Sequence, residues 1–253
     1  RLFAQRNFFF GSMSMAMAYA LFFGNIVLLP LWLQQWMGYT AINAGMALAP
    51  VGAFAILLTP MVGKKVGVWD PRAMASVAFL VFAAVLFMRA QFTTDTDFVH
   101  ILIPTIVQGI GVSMFFVPLT TLTLAGQPPH MLPAAAGLSN FVRITAGAVG
   151  TSVSTTLWES RATLHHAHLV ESLNTGHGPL AHTLRMLQAK GLSKTQALAY
   201  IDRLVSQQAW TRAADDIFYA SGWAFVVLIA AVWFCRRPAP HAGGGADAAA
   251  GAH

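Results

Sequence analysis

Long apolar segments alternate with short polar ones along this sequence, and the first two apolar segments share one unbroken run without charge. Residues 7–63 contain no Asp, Glu, Lys, Arg or His. One helix of that length would extend roughly 85 Å, whereas about 20 residues cross the hydrocarbon layer of a membrane. The run is therefore predicted to fold back once, near Gly38 and Tyr39. The six predicted membrane spans cover residues 8–33, 44–62, 73–88, 101–125, 134–158 and 217–234.

The composition of the chain supports a membrane protein built from helices. Hydrophobic residues make up 56% of the chain and charged residues 9%, whereas a typical soluble domain has about 25% charged residues. A transmembrane barrel would show segments of about ten residues that alternate apolar and polar positions, and the sequence lacks this pattern. The single cysteine, Cys235, excludes an intrachain disulfide and a metal site with several cysteines. The sequence thus predicts an all-α, multi-pass membrane protein.

The distribution of basic residues predicts which side of the membrane each loop occupies. The net charge is +6, but the basic residues lie in short loops between apolar spans, so we expect no nucleic acid partner. Cytoplasmic loops carry an excess of Lys and Arg. With the N-terminal end in the cytoplasm, the long stretch 159–216 lies outside, and Arg89 is the one Lys or Arg in the short outer loops. The cytoplasmic side then holds Arg1, Arg6, Lys64, Lys65, Arg72, Arg236 and Arg237.

These patterns divide the chain into four parts. Residues 1–158 hold the first five membrane helices, and residues 217–237 hold the last one. Between them, residues 159–216 are predicted as a periplasmic loop with a short amphipathic helix, because Ser193 and Gln196 form a capping-box-like start. This helix either caps the bundle or lies on the membrane or on a partner. Residues 238–253, rich in Gly and Ala, are predicted to form a disordered cytoplasmic tail.

Arg143 is the clearest candidate for a functional residue inside a span. If its helix begins near Ala134, Arg143 lies roughly 14 Å into a hydrocarbon layer of about 30 Å. An arginine there costs at least about 2.5 kcal/mol unless it faces a wet cavity or a partner. The six spans contain no acidic residue, so its partner is a backbone carbonyl, water, a missing part of the protein or a substrate. Alternatively, the helix start differs by one turn and Arg143 reaches the cytoplasmic surface.

Three amide side chains inside the spans extend this candidate site. Asn140 shares a helix face with Arg143, and Gln108 and Asn25 lie in the fourth and first spans. Buried amides in membranes usually bridge helices, and each such bond contributes about 0.6 kcal/mol on average. Each amide therefore either joins two helices or contacts a substrate. We predict a substrate cavity lined by Asn25, Gln108, Asn140 and Arg143.

Other chemistry has less support in the sequence. His165, His166 and His168 suggest a metal site, but His165 and His166 point about 100° apart on a helix and no Cys is near. We therefore expect solvated histidines and no metal. No Ser-His-Asp order, no pair of intramembrane carboxylates and no glycine-rich phosphate loop is present, so we do not expect an enzyme.

Six helices with both ends inside and a polar face in the membrane amount to half of a pseudo-symmetric transporter. The sequence resembles the C-terminal half of the EmrB/QacA drug-efflux group of the major facilitator superfamily. Each motif is weak alone, but the motifs in this order are specific. The motifs are Leu28-Leu29-Pro30, Gly38-Tyr39-Thr40, Ala49-Pro50-Val51-Gly52, Pro118-Leu119-Thr120-Thr121, Leu138-Ser139-Asn140-Phe141 with Arg143, and Gly150-Thr151-Ser152.

The resemblance implies an exporter of toxic hydrophobic or amphipathic compounds in the inner membrane of a bacterium. Proton entry would drive export, with no bound cofactor, and a periplasmic adaptor protein and an outer-membrane channel would complete the route. The six spans would be the last of fourteen. The chain opens without Met, and we interpret it as a fragment whose partner is the missing N-terminal half, which would hold the proton-coupling acids.

The resemblance also implies a cytoplasmic gate motif between the second and third spans. Gly63, Lys64, Asp70 and Arg72 look like a degenerate copy of it. The motif has Asp four residues after its Gly, but this chain has Gly67 there, which weakens that part of the gate.

Two other functions remain open at this point. The bundle could be a membrane scaffold that docks a periplasmic adaptor through residues 160–215. It could also be an importer of a small metabolite on the same fold, because a fold does not determine a function.

Overall fold

A computed structural model describes residues 5–66, 68–175 and 179–235, and the regular structure in these ranges is helical. A short 3-10 turn, Pro129–Met131, precedes the sixth α-helix. The α-helices are α1 (Arg6–Gln35), α2 (Ala41–Val66), α3 (Pro71–Arg89), α4 (Phe98–Ser113), α5 (Phe116–Leu124), α6 (Leu132–Thr175), α7 (Pro179–Ala189) and α8 (Lys194–Trp233).

Local sequence explains where several helices begin. The Asp70 side chain accepts a hydrogen bond from the Arg72 amide, and Pro71 occupies the first position of α3, where its missing N–H costs nothing. Ser193 and Gln196 form the predicted capping box at the start of α8. Gly38, with a φ of 73°, makes the predicted turn between α1 and α2, which a residue with a Cβ would adopt only under strain.

The helices are long and apolar enough to cross a membrane in five places. These are α1, α2 up to Lys65, α3, the segment from Phe98 to Leu124, and α8. The predicted fifth span, 134–158, lies within α6, where Asn140 and Arg143 lower the hydropathy. The prediction of an all-helical, multi-pass membrane protein is confirmed.

Contacts between pairs of helices show whether the two helices run parallel or antiparallel. α1 runs parallel to α6 and α2 runs parallel to α4, whereas α3 and α8 are antiparallel. The contacts that show this are Met15–Ser139 and Tyr19–Arg143 for α1 and α6, Tyr39–Phe98 and Val51–Gly109 for α2 and α4, and Ser76–Trp233 and Phe87–Tyr219 for α3 and α8.

Aromatic side chains fill the centre of the bundle. Phe82 lies 5.3 Å from Phe115 and 5.2 Å from Phe225 between ring centroids, and Phe79 lies 5.7 Å from Phe225. All four rings are buried. Their tilted and edge-on arrangements are those that aromatic pairs prefer, and each pair contributes about 0.5–1.5 kcal/mol beyond the buried area. This cluster joins α3, the turn between α4 and α5, and α8.

α1 and α6 approach each other so closely that glycine is required at the crossing. A Cβ atom added to Gly150 would lie 2.2 Å from the carbonyl oxygen of Ala20. A Cβ atom added to Gly24 would lie 2.1 Å from the Ser154 hydroxyl. Small residues at such crossings allow the backbones of membrane helices to pack directly against each other.

The structure differs from the sequence prediction in three helices or spans. α6 continues past residue 158 to Thr175, and α8 is one helix from Lys194 to Trp233 instead of a short helix followed by a separate span. Residues 159–175 and 194–216 contain no Pro or Gly that would end a helix. The predicted fourth span is divided into α4 and α5, because Pro118 cannot donate to the carbonyl of Met114 and its ring crowds that carbonyl. The predicted tail, residues 238–253, lies outside the described residues.

Candidate substrate cavity

Arg143 forms a polar cluster on the surface that α1 and α6 share. Its Nη1 donates a 2.8 Å hydrogen bond to the hydroxyl of Tyr19, and its Nη2 donates to Oδ1 of Asn140. The guanidinium carbon lies 5.0 Å from the centre of the Tyr19 ring, a cation–π contact. Arg143 is half-buried, and its Nε has no partner among the described residues. The cluster therefore has an unused N–H donor and a positive charge.

Helix geometry explains why these three side chains meet. Asn140 and Arg143 are three residues apart on α6, so they share a face. Tyr19 lies opposite them because α1 runs parallel to α6 at close range. Tyr19 is not among the site residues predicted from the sequence, although a tyrosine inside a charge-free apolar span has a polar tip that needs a partner. That feature is the signal that could have identified it.

Asn25 and Gln108 lie elsewhere, inside the bundle. Both side chains are buried, and together they line a small cavity. Apolar residues of α1, α3 and α8 form the rest of its wall. The structure thus brings Asn140 and Arg143 together at one place and Asn25 and Gln108 at another, instead of gathering all four. The apolar lining residues are Phe22, Phe82, Val85, Leu86 and Phe225.

Arg89 is a buried cation near the outer end of α3. The prediction that Arg89 lies in an outer loop is wrong: it occupies the last turn of α3 and is 0% exposed. Its Nη2 donates a 2.6 Å hydrogen bond to Oε1 of Gln108. The long, flexible side chain can point back into the bundle from the helix end, and the Gln108 amide in the fourth span supplies an acceptor there. Sequence position alone does not distinguish this orientation from an outward one.

The residues of the predicted gate motif have different surroundings. Arg72 forms a 3.1 Å ion pair with Asp70, and its Nη1 donates a 3.2 Å hydrogen bond to the carbonyl of Cys235 at the end of α8. Gly63 and Lys64 are exposed at the end of α2, and Gly67 lies outside the described residues. Asp70 and Arg72 therefore connect the start of α3 to the end of α8.

Two histidines join the outer parts of α6 and α8. Nε2 of His165 lies 2.8 Å from Oδ2 of Asp216, and Nε2 of His166 lies 3.4 Å from Oδ1 of Asp202. His168 is exposed and takes no part in either pair. The described residues contain no group of three or more His, Cys, Asp or Glu side chains that could hold a metal ion.

Asp97, in the turn before α4, is a carboxyl group with a clear electrostatic shift. Asp97 precedes α4 and its side chain accepts a hydrogen bond from the His100 amide. The hydrogen bond from the His100 side chain, followed by the bond from its backbone, lowers the pKa of Asp97. Asp97 is fully exposed, so this pair stabilises the helix start only weakly.

The apolar helices, their parallel and antiparallel packing and the polar groups between them define an all-helical, multi-pass membrane protein. Known relatives make the class specific. The chain is 41% identical over 248 residues to the multidrug export protein EmrB of Escherichia coli, a match that covers 98% of this chain and 48% of that protein. It is 39% identical over 244 residues to the fatty acid resistance protein FarB of Neisseria gonorrhoeae, which covers 96% of this chain and 48% of that protein.

A more distant relative is described as a transporter of the major facilitator superfamily (MFS) type. The MFS-type transporter YhcA of Bacillus subtilis is 25% identical over 215 residues, which covers 81% of this chain. No family model matches the chain. The chain spans about half the length of the curated relatives it matches. The predicted resemblance to half of an EmrB-type major facilitator transporter is confirmed, and so is the predicted location in the bacterial inner membrane.

Proposed function

We propose that this chain is the C-terminal half of a proton-coupled multidrug exporter that moves hydrophobic or amphipathic compounds out of the cytoplasm by alternating access. The polar cluster of Tyr19, Asn140 and Arg143 carries the proposal, because a charged group with an unused donor needs a wet cavity or a partner inside a membrane. Transport, not catalysis, is the activity, and a proton gradient supplies the energy without a bound cofactor.

The proposed topology has six crossings with both ends in the cytoplasm. The helix directions support it: α1, α3 and the first part of α6 run one way, and α2, the α4–α5 segment and α8 run the other way. The part of α6 after residue 158, α7 and the start of α8 then lie in the periplasm. The sequence predicts a periplasmic loop, residues 159–216, at the same place.

The substrate cavity opens on the face of α6 that carries Arg143. Phe141 is 66% exposed and Ile144 is 60% exposed on the surface of α6 around the exposed Asn140, next to the face that carries Arg143. Apolar surface next to a half-buried cation suits an amphipathic molecule with an acidic group, because an unpaired cation in a low dielectric attracts an opposite charge strongly. The name of FarB reports resistance to fatty acids, which are amphiphiles of this kind. The missing N-terminal half would form the opposite wall.

The proton-coupling acids are expected in the missing half. α1 to α5 and residues 134–158 of α6 contain no Asp or Glu. The other proposed partners are a periplasmic adaptor protein, an outer-membrane channel and the lipid bilayer. The full-length transporter in proteoliposomes should move an anionic or neutral amphipathic dye only when a proton gradient is imposed. Dye movement of equal rate without the gradient would exclude proton coupling.

A scaffold that docks a periplasmic adaptor is the second candidate, and one observation favours it. Leu169 and Leu173 of α6 and Leu204 and Val205 of α8 line an open apolar groove outside the predicted spans. Deleting residues 193–209 would shorten α8 itself, so substitution is the sharper test. Leu173→Ser with Leu204→Ser should abolish adaptor capture and leave proton-driven transport in vesicles unchanged if docking is a separate role. Retained capture would argue against this role.

A further inference from the structure

The C-terminal end of α8 binds two arginine side chains. Nε of Arg6 donates a 3.0 Å hydrogen bond to the carbonyl of Phe234, and Nη1 of Arg72 donates a 3.2 Å hydrogen bond to the carbonyl of Cys235. These carbonyls belong to consecutive residues, whose Cα atoms are about 3.8 Å apart. The carbonyl groups at a helix end carry partial negative charge, which stabilises cations there. The starts of α1 and α3 therefore bring two guanidinium groups to the same end of α8.

The two cations differ in what remains free to bind another group. Asp70 accepts hydrogen bonds from Nε and Nη2 of Arg72, so a carboxylate already neutralises that charge. Arg6 is exposed, and it forms no ion pair within the part of the chain that the structure describes. Its Nη1 and Nη2 donate no hydrogen bond to a described residue. Arg6 therefore presents an uncompensated charge and two NH₂ groups at this end of the bundle.

An exposed apolar stripe on α8 leads to the same place. Trp223, Val227, Ala230 and Phe234 are exposed, and their spacing of four, three and four residues puts them on one face of the helix. Val227 is 67% exposed and Phe234 is 54% exposed. The stripe ends at Phe234, whose carbonyl binds Arg6. A cation thus lies at the end of an apolar helix face about 11 residues long.

This combination fits an anionic phospholipid, because such a lipid has a negatively charged phosphate at the end of long apolar chains. Trp233 is exposed beside the stripe, and Trp is enriched where a helix leaves the hydrocarbon layer. Clusters of Lys and Arg directly cytoplasmic of a membrane helix attract anionic lipids. The described residues of this end include four basic side chains and one acidic side chain: Arg6, Lys64, Lys65, Arg72 and Asp70.

We infer that an anionic phospholipid of the cytoplasmic leaflet binds at the C-terminal end of α8, with its phosphate against the free NH₂ groups of Arg6 and an acyl chain along the stripe from Phe234 to Trp223. The inference rests on the proposed topology, which puts this end of α8 in the cytoplasm. It does not depend on the transported compound or on the energy source of transport.

Native mass spectrometry of the full-length protein in detergent tests the binding of the phosphate. Phosphatidylglycerol and phosphatidylcholine are titrated separately, and the affinity for the first bound lipid is compared. We expect the wild type to bind phosphatidylglycerol at least about fivefold more tightly, and Arg6→Gln to lose this preference. Lys64→Gln is the matched control, because it removes the same charge from an exposed residue on the same side. A wild type without preference, or equal losses in both variants, would overturn the inference.

The exposed valine Val227 tests the position of the acyl chain. Val227→Ser should weaken the binding of phosphatidylglycerol severalfold, whereas Val99→Ser, the same change at an exposed position at the other end of the bundle, should not. Binding unaffected by Val227→Ser would overturn the inference, as expected if the missing half covers the stripe. Displacement of the lipid by an equal concentration of glycerol 3-phosphate would assign Arg6 to a free anion instead. If Arg6→Gln does not fold, the two valine variants still decide.

Discussion

The close crossing of α1 and α6 gives a prediction whose size follows from the structure. In Gly150→Ala, the new Cβ would lie 2.2 Å from the Ala20 carbonyl oxygen and 2.4 Å from the Ala20 Cα. Ordinary contacts of this kind are about 3.5–4.0 Å long, so the backbones must separate by roughly 1 Å or more. Both atoms that Cβ meets are backbone atoms, which cannot rotate away as a side chain would.

The cost of this separation exceeds that of a typical overpacked core site. Inserting one methyl group into a packed core costs about 1–3 kcal/mol, and here the shift also disturbs the contact between Tyr19 and Arg143 one to two turns away. We expect Gly150→Ala to lower the stability of the full-length protein by at least about 2 kcal/mol. The midpoint of thermal unfolding in detergent, followed by near-ultraviolet circular dichroism, measures this loss.

Gly137→Ala is the matched control on the same helix. A Cβ added to Gly137 meets no atom within 4 Å, so this variant should be as stable as the wild type or slightly more stable. If Gly150→Ala and Gly137→Ala unfold at the same midpoint, the close packing of α1 against α6 is not a property of the folded protein.

Two further predictions concern the polar contacts. Arg143→Gln in the full-length transporter should reduce kcat/KM for an anionic drug about 10- to 100-fold relative to a neutral drug of similar shape, because a hydrogen bond to a charged group is worth about 1.5–3 kcal/mol. Equal reduction for both drugs would refute a role of the charge in substrate choice. Trp32→Phe removes a 3.0 Å hydrogen bond from the indole nitrogen to Thr211 and should destabilise the protein by about 1–3 kcal/mol in the same unfolding assay. A variant as stable as wild type would show that this buried contact is not formed.

The helices themselves were predictable because the solvent is lipid. A chain that must satisfy every backbone group internally forms helices wherever an apolar run is long enough, so the apolar pattern located α1, α2 and α3 to within a few residues. Outside the membrane, backbone groups can bond to water, so the apolar pattern does not predict where a helix ends. There, α6 and α8 continue as helices because no residue stops them, and their polar composition was interpreted as a loop.

The candidate site was predicted in part. The pairing of Asn140 with Arg143 follows from helix spacing, which the sequence contains. The position of Tyr19 opposite Arg143 depends on the direction and distance of α1 relative to α6, which no local pattern encodes. Arg89 shows the same limit, because the sequence places it at a span end but does not state that its side chain turns inward to Gln108.

The continuity of α8 has a mechanical consequence. With 40 residues, α8 is roughly 60 Å long, and the part before residue 217 extends about 35 Å beyond the proposed span. A continuous helix of this length transmits motion over a distance: a change in tilt of about 5° at the membrane moves its far end by roughly 3 Å. The His165–Asp216 and His166–Asp202 pairs connect α6 to this part of α8. A small rearrangement around the buried helices would therefore be enlarged at the far end of α8, which in the proposed topology is accessible to a protein in the periplasm.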